Sequence, residues 1–322
     1  MVGLRIVLVS PNDSLLWAFA TVRAILPTGP GFADDEIFHP FGPAFATYSG
    51  LDANRVVVAA TVDGQQRTID CDTLVIATGS SCKEGMPFKH LAGTPSTKAE
   101  FHHLRDKITA ARTIVVAGAG LTGVEVAGEL GQAYGLVGTK EITLIADDEL
   151  PLDREARPDV RQIAASELAK LNVKIIPNTR VVRPLHPHLR HNPNTAFFPP
   201  SLLSPSLRVT VSLATLQIPP PNIFALGDAS AAQSANGKHA DAQVRYLASA
   251  LQEYLNGRAM PAYKPDDRYI FSVTMGPYRG TGQVGGRRLW GWVIRTAAGR
   301  HLGTDCAGHV ARGRRTMTQT KW

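Results

Sequence analysis

The chain has 322 residues, 44% hydrophobic and 19% charged, with a formal net charge of +7. That length allows roughly two domains of about 150 residues each, with a core that needs no disulfide or metal staple. The composition excludes a disordered chain, a collagen and a coiled coil, and no run of about 18 uninterrupted apolar residues offers a spanning helix.

Taken in chain order, short apolar runs alternate with helical patterns, the rhythm of a parallel sheet with crossover helices. Arg5 to Val9 (RIVLV) reads as a buried strand, and Leu74 to Ala77 (LVIA) as another. Thr113 to Ala117 (TIVVA), Ile142 to Ile145 (ITLI), Val173 to Ile176 (VKII) and Ile223 to Leu226 (IFAL) follow. Helical stretches lie at Leu121 to Tyr134, at Pro158 to Leu171 and at Asp241 to Leu255. The second of these aligns Val160, Ile163, Ala164, Leu168 and Leu171 on one stripe. The third aligns Val244, Leu247, Ala248, Leu251 and Leu255, with Gly257 as its stop. Between Pro184 and Pro221 stand nine of the 22 prolines, so this stretch reads as a long loop with one strand at Leu207 to Ser212. His186, His188 and His191 fall there without an acidic or Cys ligand and read as solvated imidazoles, so no metal is assigned. Gly280 to Gly286 (GTGQVGG) lacks a strand–turn–helix setting and reads as a loop.

Cys71, Cys82 and Cys306 form no CxxC or CxxxxC pair, which removes dithiol chemistry from the mechanisms. From Arg279 onward nine Lys or Arg stand against Asp305 alone, so the positive charge sits in the last segment. No RNP run or zinc finger accompanies it, so nucleic acid is not the expected partner. Residues 289–294 (LWGWVI) suit either a core or a membrane surface. No signal peptide is legible near the start, and the expected location is cytoplasmic, with membrane association left open.

The chemistry lies after TIVVA, where Gly118-Ala119-Gly120-Leu121-Thr122-Gly123 opens a helix. Gly118 permits the tight turn, Gly120 the approach of a pyrophosphate, and Gly123 close helix–strand packing. The helix N-terminus then offers N–H groups and a positive dipole end to phosphates. The next strand ends at Asp147-Asp148, where a carboxylate can accept from a ribose diol and repel a 2′-phosphate, which favours NADH over NADPH.

Two further strands end in motifs: Asp72 to Ser80 in ATG, and Asn222 to Ala229 in GD. In this order around a GxGxxGxE segment they resemble the pyridine nucleotide–disulfide oxidoreductase superfamily. Within it the chain is similar to the apoptosis-inducing-factor-like, ferroptosis-suppressor-type quinone reductases in their fungal form. The similar stretches are Val9 to Leu26, Pro193 to Phe197, Val273 to Gly282 and Trp322.

The resemblance implies an α/β fold of two Rossmann-like dinucleotide-binding domains, the first incomplete at its N-terminus. Met1 would precede the second strand of that domain, so that its first strand, FAD phosphate-binding loop and first helix would be lacking, and a Pro/His-rich stretch between Val182 and Asn192 would replace antiparallel strands. Residues 1–110 and 205–275 would form the FAD-binding domain, 111–204 the NAD(P)H-binding domain and 276–322 a basic C-terminal segment. NADH or NADPH would bind at Gly118, Gly120, Gly123 and Asp147, with Glu125 orienting the nicotinamide. FAD would be held by Thr78, Gly79, Gly227 and Asp228, with Arg23 and Gln243 completing the set. The implied reaction passes hydride from NAD(P)H through flavin to a quinone or similar acceptor without a redox disulfide. The alternative is a non-catalytic NAD(P)H sensor or partner-binding protein.

Overall fold

The computed structural model describes residues 6–27, 29, 31–41, 55–59, 66–82, 85–181, 195–198, 203–204, 208–219 and 222–319. His186, His188 and His191 and the Val182–Asn192 stretch lie outside the described residues. In chain order come β1 (Ser14–Leu16), α1 (Thr21–Ala24), α2 (Asp34–Ile37), β2 (Phe38–Pro40), β3 (Arg55–Ala59) and β4 (Gln66–Asp70). Then follow β5 (Leu74–Ile76), β6 (Ser81–Cys82), α3 (Thr94–Ala110), β7 (Thr113–Ala117), α4 (Leu121–Leu130), β8 (Glu141–Ile145), α5 (Pro158–Lys170) and β9 (Val173–Ile176). The remaining elements are β10 (Thr195–Phe198), β11 (Leu203–Ser204), β12 (Gln217–Ile218), β13 (Ile223–Ala225), α6 (Gly237–Leu255), β14 (Ile270–Thr274), β15 (Gly280–Val284), β16 (Arg287–Leu289), α7 (Gly291–Ile294) and α8 (Thr304–Ala311).

Two parallel cores carry the functional turns. The first is a four-stranded sheet in the order β10-β7-β8-β9, every pair parallel. Its strands are near-continuous apolar runs because helices cover a parallel sheet on its faces. Ile114, Val116, Ile142 and Leu144 are buried there, and α5 turns Val160, Ala164 and Leu168 inward at four-residue spacing. Pro158 at the first turn and Lys170 at the last suit the two ends of that helix. The second is a smaller sheet in which β13 pairs parallel with β5 and antiparallel with β12. The architecture is thus α/β with Rossmann-like parallel sheets.

Several elements differ from the sequence reading. Of the RIVLV run, the described residues Ile6 to Val9 form no strand: they are about half exposed and pair with no described strand. An apolar run becomes a buried strand only where a sheet edge receives it, and local pattern carries no record of that edge. At Leu207 to Ser212, residues 208–212 contain only the bridge Val209–Ser230. Gly280 to Val284, read as loop, is the strand β15, paired with β14 and β16. Its glycines are needed for contact, since a Cβ on Gly280 would lie 2.5 Å from Ile294 Cγ2 and one on Gly282 would lie 2.4 Å from Phe271 O.

The third predicted helix also turns a different face inward. In α6 the buried residues are Asp241, Gln243, Leu247 and Ala250, whereas Ala248 and Leu255 are exposed. The two polar positions are buried because they carry hydrogen bonds: Asp241 Oδ1 accepts from Met317 N at 2.6 Å, and Gln243 Oε1 from Gly227 N at 2.8 Å. Asn236 caps this helix by accepting from Lys238 N at 2.9 Å.

Candidate dinucleotide-binding site

At the carboxyl end of β7 the chain turns sharply into α4. Gly118 adopts φ 93°, a left-handed conformation that an L side chain resists. Gly120 then caps α4, and a Cβ there would meet no atom within 4 Å, so the surface above the turn is open to a ligand. Gly123 does the opposite: a Cβ would sit 1.9 Å from Gly118 O, so α4 presses directly on the turn it follows. The loop is held from outside by Leu152, whose N–H donates to Ala119 O at 2.7 Å. Leu152 has φ 69° and is 5% exposed, so a strained, buried residue supports the turn. Sequence pattern gave no sign of it. The open helix N-terminus with unhindered glycine backbone fits a dinucleotide pyrophosphate.

The two acids at the end of β8 have different surroundings. Asp148 is held by Arg154 at 2.9 Å and Arg161 at 2.7 Å. The backbone N–H of Glu149 and those two guanidinium groups hold its carboxyl down to about 2. Asp147 is 61% exposed, and among the described residues its ion-pair partner is Arg180, at 3.5 Å. Its carboxylate is therefore the one open to a ribose diol, with a cation beside it that the motif did not disclose.

Glu125 lies one turn into α4, half-buried, and accepts from Thr274 N of β14 at 3.3 Å. Burial of the carboxyl, reinforced by the nearby Glu129 charge, pushes it up to about 8. At neutral pH it is a neutral acid, able to donate one hydrogen bond and accept others.

The ATG and GD turns converge at the ends of the adjacent strands β5 and β13. Gly79 has φ 69° with no atom within 4 Å of a Cβ position, and Thr78 is exposed beside it. Asp228 Oδ2 accepts from Ser80 Oγ at 2.6 Å and from Lys89 Nζ at 3.1 Å. Burial raises the Asp228 carboxyl, but Ser80 and Lys89 outweigh it and leave the group below its ordinary range. Oδ1 takes part in neither bond, so an ionised acceptor remains for a ligand hydroxyl. Gly227 stands at φ 65°, and Gln243 lies beneath the turn at 1% exposure, its amide also donating to Gln233 Oε1 at 3.3 Å. Gln243 therefore supports the GD turn from below. Neither Ser80 nor Lys89 was among the residues the motifs singled out, although Ser80 follows ATG directly.

Arg23 is placed differently from the other named residues. It is 1% exposed and donates to Glu129 from Nε at 3.0 Å and from Nη2 at 2.7 Å, to Gly299 O at 2.8 Å and to Arg300 O at 2.8 Å. Its donors are committed inside the protein, so it ties the core together and presents no open face to a flavin.

Residues 44–187 match the family model described as pyridine nucleotide-disulphide oxidoreductase. The chain is 29% identical to the oxidoreductase ptaL of Pestalotiopsis fici, over 91% of its own length and 86% of that protein's. It is 25% identical to human ferroptosis suppressor protein 1, over 71% and 68% of the two chains. Among solved structures, NDH2 from Plasmodium falciparum in complex with NADH superposes with TM-score 0.67 at 11% identity, covering 92% of this chain and 91% of that one. In its motifs, its Rossmann-like parallel sheets and the stretch 44–187, the chain is similar to the pyridine nucleotide-disulphide oxidoreductases.

Proposed function

We propose that the chain is a FAD-dependent oxidoreductase that passes hydride from NADH or NADPH through flavin to a quinone or similar acceptor. The observation that carries this reading is that one chain holds a GxGxxG turn with open backbone at Gly120 and joined ATG and GD turns around Asp228. Similarity to the fungal oxidoreductase and to ferroptosis suppressor protein 1 supports it.

The protein's work in such a reaction is positional. Gly118, Gly120 and Gly123 would seat the pyrophosphate of NAD(P)H, and Asp147 would hold its adenosine ribose. Glu125, as a neutral acid, would donate to the carbonyl of the carboxamide and accept from its amine. Thr78, Gly79, Gly227 and Asp228 would hold FAD, with Gln243 fixing the turn beneath. Bound FAD supplies two-electron acceptance from a nicotinamide and release to an acceptor, so no nucleophile or protein disulfide is required. A quinone-type acceptor is lipid-soluble, and peripheral membrane contact of a cytoplasmic protein belongs to the same reading. Among the described residues no helix is long and apolar enough to cross a membrane.

The test is visible absorption of the purified protein before and after incubation with FAD and desalting. Retained flavin that bleaches with NADH and recovers with a soluble quinone supports the reading. A colourless protein after excess FAD overturns it and leaves a nucleotide-binding sensor as the better account.

The pH dependence follows from Glu125. Its carboxyl is protonated in the folded protein up to about pH 8, so the donor to the carboxamide is present below that value and lost above it. Anaerobic flavin reduction by NADH is expected to slow several-fold as pH rises from 7 to 9. In Glu125→Gln, which keeps a donor at every pH, that decline should vanish. The same decline in both proteins would remove Glu125 from this role.

A further inference from the structure

The basic C-terminal segment carries an exposed aromatic surface that the proposed reaction does not use. Trp290 is 60% exposed, Trp292 69% and Tyr278 58%, unusual values for residues of such apolar area. The short helix α7 is anchored by Ile294, which is 3% exposed and packs on Gly280. With Ile294 inward, its two flanking indoles are turned out. Trp292, Arg295, Thr296 and Arg300 line a shallow hollow of about 310 Å³. The Thr296 hydroxyl is spent within the helix, donating to the carbonyls of Trp292 and Val293 at 3.0 Å, so the hollow offers aromatic and cationic groups.

The charge around these rings is only partly compensated, Arg279 being paired with Glu167 at 2.6 Å. Among the described residues Arg287, Arg295 and Arg300 make no ion pair, while Arg288 reaches Asp159 only at 3.8 Å. Arg288 lies over the Trp290 ring at 4.7 Å and Arg295 over the Tyr278 ring at 5.5 Å. This stacking decides between anionic partners. For a nucleic-acid base, one face each of Trp290 and Tyr278 is already taken by Arg288 and Arg295, which leaves Trp292 as the uncovered ring and no run of stacking platforms. A bilayer surface needs the other arrangement, amphipathic indoles at headgroup depth with arginines beside them for phosphates.

We propose that Tyr278, Trp290, Trp292 and the surrounding arginines form a docking surface for an anionic lipid membrane. This rests on the reading above, in which the acceptor is lipid-soluble, and names the surface that would bring the protein to it. The arginines supply long-range attraction, about fivefold in partitioning for each basic residue near a charged membrane. The indoles supply the short-range hold, entering the interface while Ile294 keeps α7 on the protein.

The experiment is co-sedimentation of the full chain with vesicles of phosphatidylcholine alone or with about 30% phosphatidylserine, with intrinsic tryptophan emission recorded in parallel. Binding to the charged vesicles only, with a blue-shifted emission and release at 0.5 M salt, is the expected result. The Trp290→Ser/Trp292→Ser variant should partition at least tenfold more weakly and lose the blue shift. Should that variant fail to fold by circular dichroism, Arg287→Gln/Arg295→Gln/Arg300→Gln, which leaves the Ile294 anchor in place, should weaken partitioning by a similar factor. No binding by the wild-type chain, equal binding by all variants, or binding to duplex DNA without a preference for charged vesicles would overturn the proposal. Flavin retention and bleaching by NADH, measured on the same samples, separate this outcome from a failure of the reductase reading. A chain that retains and bleaches flavin but ignores vesicles loses only the docking surface.

Discussion

Arg23→Ala is expected to destabilise the protein by about 3–5 kcal/mol, the cost of leaving one member of a buried ion pair without its partner. Glu129 is 0% exposed, and burial pushes its carboxyl above the ordinary range, with the Arg23 guanidinium as the counterweight. Removing Arg23 would strand that carboxylate and also leave the carbonyls of Gly299 and Arg300 without their donors. The double change Arg23→Met/Glu129→Met removes both charges together and should lose less than Arg23→Ala, because an apolar pair of similar volume leaves no charge unpartnered. Urea unfolding midpoints of the three proteins check this. A loss below about 1 kcal/mol for Arg23→Ala would mean that the pair is solvated or carried by other contacts.

The second large effect concerns the turn at α4. Gly123→Ala should weaken NADH binding at least tenfold and cost about 1–3 kcal/mol, because its methyl would have to enter space held by Gly118 O and force helix and strand apart. Gly120→Ala makes the informative contrast. Its φ of −70° suits any residue and its Cβ position is open, so the protein should fold with unchanged stability. The methyl would nevertheless occupy the surface where a pyrophosphate approaches, and NADH affinity should fall by a similar factor. Fluorescence titration with NADH beside urea denaturation separates the two. Unchanged affinity in Gly120→Ala would place the phosphates elsewhere.

The contrast between these glycines also shows what could be read from the sequence. TIVVA, ITLI and VKII were legible as strands because a parallel sheet covered on both faces demands unbroken apolar runs, and three strands support each other in register. The GxGxxG turn was legible because each glycine answers a local steric need. Arg23 and Glu129 were opaque, since a charged residue on a helix is ordinarily solvated and only the arrival of a partner 106 residues away makes burial tolerable. The inward face of α6 was opaque for a related reason: Asp241 and Gln243 look solvent-facing until the GD turn and the segment at Met317 use their oxygens. RIVLV failed in the opposite direction, because its apolar pattern was correct for a strand that no described neighbour receives. Sequence pattern thus recovers elements whose physics is local and misses those completed by distant segments.

That distance has a kinetic side. The Nε, Nη1 and Nη2 groups of one guanidinium at Arg23 are engaged by a helix in the middle of the chain and by the carbonyls of Gly299 and Arg300. While the protein is being synthesised, Arg23 and Glu129 can meet before residues 299 and 300 exist, so the cluster waits half-satisfied until the last segment docks. Contacts of such long sequence separation form late, after most loop entropy has been lost. A chain lacking residues 299 and 300 would leave the Arg23 guanidinium with two donors unmet inside the core.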